Sequence, residues 1–179
     1  MKKKTDRGWV VKIIAMSVLI SAAFTFVSAE LLRGSGYIAA FIVLFVFIVI
    51  GVVFDIIGVA VTSADETPFH SMASHNERGA AEAIRLIRRA ERVSSVCNDV
   101  VGDIAGIVSG ATSAIIVSNL VRDLSFGTVI TQIGVSGLVA GLTIGGKALG
   151  KAVAMNNNTY IVHACGKTAA FFKKIFNKK

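Results

Sequence analysis

The sequence is short of proline, of cysteine and of charge. Only 17% of its 179 residues are Asp, Glu, Lys or Arg and there is a single proline, where an average soluble domain is roughly a quarter charged. Collagen-like and disordered chains are excluded by that composition. The two cysteines, Cys97 and Cys165, cannot build a disulfide framework and neither lies in a CxxC or zinc spacing. They define no redox compartment and read as small hydrophobes. No nucleophile and base pair suggests catalysis and no glycine-rich phosphate loop appears, so an enzyme is not expected. Acids are scarcer than bases, 11 against 19, which leaves a net charge of +8. A nucleic-acid partner would need a basic face on a soluble fold, and the chain offers none.

What the chain has is apolar sequence. It is 54% hydrophobic with a mean hydropathy of +0.69. A membrane-spanning helix needs about 20 mostly apolar residues, and four segments qualify: Trp9 to Leu32, Tyr37 to Ser63, Val93 to Val121 and Phe126 to Gly146. The first two are separated by Arg33 to Gly36 and the last two by Arg122 to Ser125, gaps that suit tight helical hairpins. The expected fold is therefore an all-α membrane protein of four transmembrane helices in two hairpins, with amphipathic cytoplasmic helices. Residues 1–36 make an N-terminal anchor helix and outer turn. Residues 37–158 make the transmembrane domain, with a cytoplasmic helical linker at 64–92, and residues 159–179 a basic C-terminal helix. The first span has two readings. It is a retained anchor, or a signal peptide with basic residues before it and a small-residue cleavage site at Val27, Ser28 and Ala29.

Lys and Arg are retained on the cytoplasmic side of short loops. Of the 19 basic residues only Arg33 and Arg122 fall in the hairpin turns, and the other seventeen precede or open the first span, lie in the linker or follow the fourth span. Both termini and the linker are thus expected in the cytoplasm of a multi-pass protein of the cell membrane. In the linker, Asn76 can cap a helix on which Ala80, Ala83, Ile84, Ile87 and Ala90 recur opposite Arg85, Arg88, Arg89 and Arg92. From Thr159 onward Ile161, Phe171, Phe172, Ile175 and Phe176 face one way and lysines the other, after a break at Asn156, Asn157 and Asn158. Both helices suit a bilayer surface or a bundle flank.

A charged side chain at mid-bilayer costs about 2.5 to 3.5 kcal/mol on insertion scales, so each polar residue in a span asks for a reason. The second span holds Asp55 and closes on Ser63 to Pro68. On the third, Ser95, Asp99, Gly102, Gly106, Ser109 and Ser113 recur at spacings of three and four and form one polar, small-residue stripe that should face protein or water. Gly102, Gly106 and Gly110, with Gly137, Gly141 and Gly145 on the fourth span, are small-xxx-small series that let helices approach closely. A homodimer packed through these faces is expected. Packing leaves the acids unexplained, because Asp99 and Asp103 lie one turn apart and repel without a positive partner. Hard divalent cations take carboxylate, carbonyl, hydroxyl and water oxygens, and Ser63, Glu66, Asn98, Asp99 and Asp103 supply that chemistry near the inner ends of two helices. The alternative is a set of caps and interfacial acids paired with Arg88, Arg89 and Arg92. His70, His75 and His163 lack ligand spacing and read as interfacial.

From Ser63 onward the order of features resembles the transmembrane domain of the cyclin-M and CorB/CorC magnesium transporter family. Ser63-Ala64-Asp65-Glu66-Thr67 is similar to its S-A-x-E-T signature. Arg78 to Ile87 resembles its alanine-rich basic helix, and Asn98 to Ile104 an asparagine-rich helix start. Gly146 to Ala154 resembles its G-E-x-x-P-K-x-x-A segment, with Lys147 in place of the glutamate and Gly150 in place of the proline. The likeness covers about residues 40 to 179 and leaves out the nucleotide-binding regulatory domains that follow in the family. It implies Mg²⁺ as bound or transported ion, a dimer, Ser63 and Glu66 as site residues, Asn98 as a ligand, and Asp99 and Asp103 where the family prefers amides. The leading expectation is a carrier or binding protein for Mg²⁺ in the lipid bilayer, with a separate regulatory protein as a further partner. The alternative is a non-transporting membrane scaffold or regulatory interaction protein.

Overall fold

In a computed structural model, residues 7–33, 36–124 and 127–176 are described, and among them every regular element is helical. The order is α1 (Arg7–Leu32), α2 (Tyr37–Ser63), α3 (Thr67–Ser74), α4 (Ala80–Arg88), α5 (Ala90–Ser94), a π-helical segment (Ser95–Gly102), α6 (Asp103–Leu124), α7 (Thr128–Asn156) and α8 (Asn158–Phe176). Four stretches are long and apolar enough to cross a membrane: Arg7–Leu32, Tyr37–Ser63, Ala90–Asp123 and Thr128–Asn156. Helix is the form such sequences take in lipid, because it satisfies every backbone N–H and C=O within the segment. The second matches its expected bounds. The fourth runs ten residues past the expected Gly146, since nothing between Lys147 and Asn156 breaks a helix, and its expected first residue, Phe126, lies outside the described residues.

The chain divides into two compact units, Met1–Val52 with Asp99–Gly146 and Val53–Asn98 with Lys147–Lys179. Helices α2 and α7 and the π-helical segment each run through both.

In the first unit α1 lies closest to α6. Phe24 of α1 meets Phe47 of α2 with ring centroids 5.4 Å apart, and the core is Val43, Phe47, Val100, Ile104 and Val108. A second cluster joins Ala40, Leu44 and Ile48 to Ile116 and Val139. One polar pair is buried here, Ser28 Oγ and Thr112 Oγ1 at 3.2 Å, each satisfying the other. Outward-facing positions carry Leu19, Phe26, Ile38, Phe45, Ile130 and Ile133, all large and exposed. So much exposed apolar surface is unusual for a protein in water and natural for one in lipid.

The second unit is built on α4, which packs against α3 and α8. Phe69, Ala83 and Val162 are fully buried with Ala60, Val61 and Ala154, and Arg85 and Arg88 face outward. Gly79 sits at φ +89°, and a Cβ there would lie 2.8 Å from the Gly166 carbonyl carbon of α8, so only glycine fits both the backbone and the approach. That turn corrects the expected cap. Asn76 lies in the turn after α3 with φ +56°, and α4 starts only at Ala80, behind Gly79. The buried face of α8 also differs from expectation. It is Val162 and Gly166, against α4, while Phe171, Phe172 and Ile175 are exposed. The asparagine break before α8 is present, and Asn158 Nδ2 donates to the last carbonyl of α2, Ser63 O, at 3.0 Å.

Candidate functional site

Ser63 is exposed and its hydroxyl bonds back to Ala60 O at 3.3 Å, a local bond within α2. Glu66 is half-buried at the start of α3, where Arg88 Nε donates to its two oxygens at 3.3 and 3.2 Å and His70 Nε2 lies 3.3 Å away. An arginine thus occupies the carboxylate that the metal reading would use, as the ion-pair alternative anticipates. Asn98 is half-buried in the π-helical segment, whereas Asp99 and Asp103 are exposed. Ser63, Glu66 and Asn98 belong to the second unit, Asp99 and Asp103 to the first. Among the described residues no group of three or more His, Cys, Asp or Glu side chains could hold a metal ion.

The expected stripe on the third span is split. Gly102, Ser109 and Ser113 are buried while Asp99 and Gly106 are exposed. A π-helical segment runs from Ser95 to Gly102, and its i→i+5 bonding takes Asp99 out of the 3.6-residue register of α6; Gly106 lies within α6 itself, on its exposed side. Asp103, Gly106 and Gly110 fall on the exposed side of α6, and both glycines look into open space. Part of that face, with α7, forms a groove of about 670 Å³ lined by Gly106, Gly110, Ser113, Ser118, Gln132 and Ser136 among others.

The more demanding polar atoms are elsewhere. Asp55 lies eight residues before the end of α2, is 6% exposed, and leaves its Oδ2 buried with no hydrogen-bond partner among the described residues. Its Oδ1 faces Lys147 Nζ of α7 at 3.9 Å. Asn98 Oδ1 is also buried without a partner. Its Nδ2 donates to Ser94 Oγ at 3.3 Å, which turns the oxygen toward Gly58 of α2, where a Cβ would collide with it. Asp55 and Gly58 are three residues apart on one helix, so their Cβ positions are about 5 to 6 Å apart. Asn98 Oδ1 thus lies against α2 at Gly58, one helical turn along from the position of Asp55, and both oxygens are acceptors. Each unsatisfied buried group costs roughly 1 to 3 kcal/mol, and a site made of acceptors is one a cation or proton donor completes.

Sequence reasoning singled out Asp55 as a charge within a span but assigned it no partner. Lys147 was visible as a departure from the family pattern, and its meeting with Asp55 was not. Outside the spans, Thr67 donates to Asp65 Oδ1 from its backbone N–H and its hydroxyl, both at 3.1 Å, which holds the Asp65 carboxyl below its usual range. Burial pushes the Cys165 thiol up, consistent with an unreactive side chain.

No family model, no curated protein and no solved structure matches the chain.

Proposed function

We propose that the protein is an integral, multi-pass membrane protein that binds a hard cation at oxygens held between its helices and carries it across the bilayer. The observation that carries this reading is the pair of buried acceptors without partners, Asp55 Oδ2 and Asn98 Oδ1, in segments apolar enough to span a membrane. Intramembrane ionisable residues are expensive and mark ion and proton paths. Mg²⁺ is the ion implied by the resemblance. It accepts one or two carboxylates with amide oxygens and retained waters, which is what Asp55 and Asn98 provide. Of the residues expected from sequence, Asn98 stays in this site. Asp99 and Asp103 are exposed and belong to the first unit. Ser63 is committed to a bond within α2 and Glu66 to Arg88 of α4. The four long helices pair as two hairpins, α4 and α8 lie on the cytoplasmic side with both termini, and two copies associate through the open glycine face of α6 and α7.

One observation favours the second reading, a non-transporting scaffold. Arg88 holds Glu66, and Arg85 and Lys173 both approach Glu82, at 3.6 and 3.4 Å, so the cytoplasmic helices form a stapled basic platform. Uptake of Mg²⁺ into vesicles reconstituted with the wild-type chain and loaded with a Mg²⁺-sensitive dye separates the two. The carrier reading expects uptake that Asp55→Asn abolishes, and the scaffold reading expects none from either protein.

A further inference from the structure

Lys147 stands where its ammonium competes with the ion for Asp55. Its Nζ lies 3.9 Å from Asp55 Oδ1, inside Coulombic reach but beyond hydrogen-bond length. Its side chain is 26% exposed against 9% for that of Asp55, so the lysine reaches toward the surface while the carboxylate does not. An ammonium is a compact charge on a flexible four-carbon stem and moves without any change of backbone.

A lysine placed only to neutralise Asp55 would be drawn into hydrogen bonds with the oxygens around it. Here neither Asp55 Oδ2 nor Asn98 Oδ1 has a hydrogen-bond partner among the described residues, and Asn98 is held in that orientation by Ser94. The acceptors are shaped for something that binds beside the lysine or instead of it.

We propose that Lys147 is a tethered counter-cation: a hard cation binds Asp55 and Asn98 only as the ammonium withdraws from Asp55, and the ammonium's return completes release of the ion. The inference rests on the cation-binding reading above and adds its exchange step. Under it the Asp55 carboxylate always has a positive partner, first the lysine and then the ion, and never bears the full penalty of a buried uncompensated charge. Affinity is thereby lowered to a level at which the ion can leave, and Lys147 is the residue that sets it.

The test uses the full chain in detergent micelles with MgCl₂ as the probe. Calorimetric titration of wild type, Lys147→Met and Lys147→Arg is expected to show Lys147→Met binding Mg²⁺ at least about tenfold tighter, since a positive charge a few ångströms from the ion has gone. Lys147→Arg, which keeps the charge, is expected to bind much as wild type does. Lys147→Met leaves Asp55 without a counter-charge and can fold poorly, so a second measurement needs no variant. In the wild type, saturation with Mg²⁺ should increase the labelling of Lys147 by a water-soluble amine reagent, read by mass spectrometry. If wild type binds Mg²⁺ while Lys147→Met binds no tighter, or the labelling of Lys147 does not change, the exchange step is overturned and the ion site stands. If wild type binds no Mg²⁺, both fail.

Discussion

Two glycines show how far single residues determine this site. Gly58 of α2 lies against Asn98, and a Cβ there would stand 2.7 Å from the side-chain carbonyl carbon and 3.0 Å from Nδ2. Gly58→Ala must therefore rotate Asn98 off its bond to Ser94, and we expect a loss of about 1 to 3 kcal/mol from overpacking together with loss of ion binding. Gly106→Ala faces open space, and in a monomer it should be neutral or stabilising by up to about 1 kcal/mol through helix propensity. Thermal melts of the two variants check the contrast. The sequence marks Gly106, in its small-xxx-small series, as the glycine of close approach, and Gly58 not at all; the structure reverses the two. What separates them is a neighbour 40 residues away in one case and its absence in the other. Asp55 was conspicuous as an acid in an apolar run, but its partner is 92 positions on, and composition carries no information about such a pairing.

At the scale of elements, the long helices were legible because length and apolarity suffice to define them, and α2 falls on its expected bounds. The π-helical segment was not, since a wider hydrogen-bond pattern leaves no mark in composition. It takes Asp99 out of the expected stripe. The linker was legible as helical and illegible in its start, because Gly79 answers to the backbone of α8 rather than to a local cap. At α3 the entry depends on Asp65, whose carboxylate accepts from Thr67. Its carboxyl is lowered by those bonds, so the stabilisation they give is complete above the ordinary Asp value near pH 4 and is lost as pH falls through the lower folded value. The side chain is fully exposed and the effect is small. Asp65→Ala should lower the melting temperature slightly at neutral pH, and the difference from wild type should shrink as the pH falls below the ordinary Asp value. Melting curves across that range read it directly.

Under the proposed function the whole molecule spans the bilayer, pairs with a second copy and holds a cation. Pairing through α6 and α7 is expected because Gly106 and Gly110 are open and the groove beside them carries Ser118, Gln132 and Ser136, groups that lipid cannot satisfy and a facing helix can. Gly106→Leu should shift crosslinked wild-type dimer to monomer, and an unchanged dimer would remove that interface. The ion is the central claim. It is tested most directly by the melting temperature of the detergent-solubilised wild type and of Asp55→Asn, each with and without millimolar MgCl₂. A ligand specific to the folded state stabilises it by about 2.7 kcal/mol at a hundred times its dissociation constant. We expect the wild type to melt higher with Mg²⁺. Asp55→Asn should be indifferent to Mg²⁺ and no less stable than wild type without it, because the more exposed Lys147 can reach water when its partner is neutral. A wild-type curve that ignores Mg²⁺, or an Asp55→Asn protein that Mg²⁺ stabilises equally, would contradict the account.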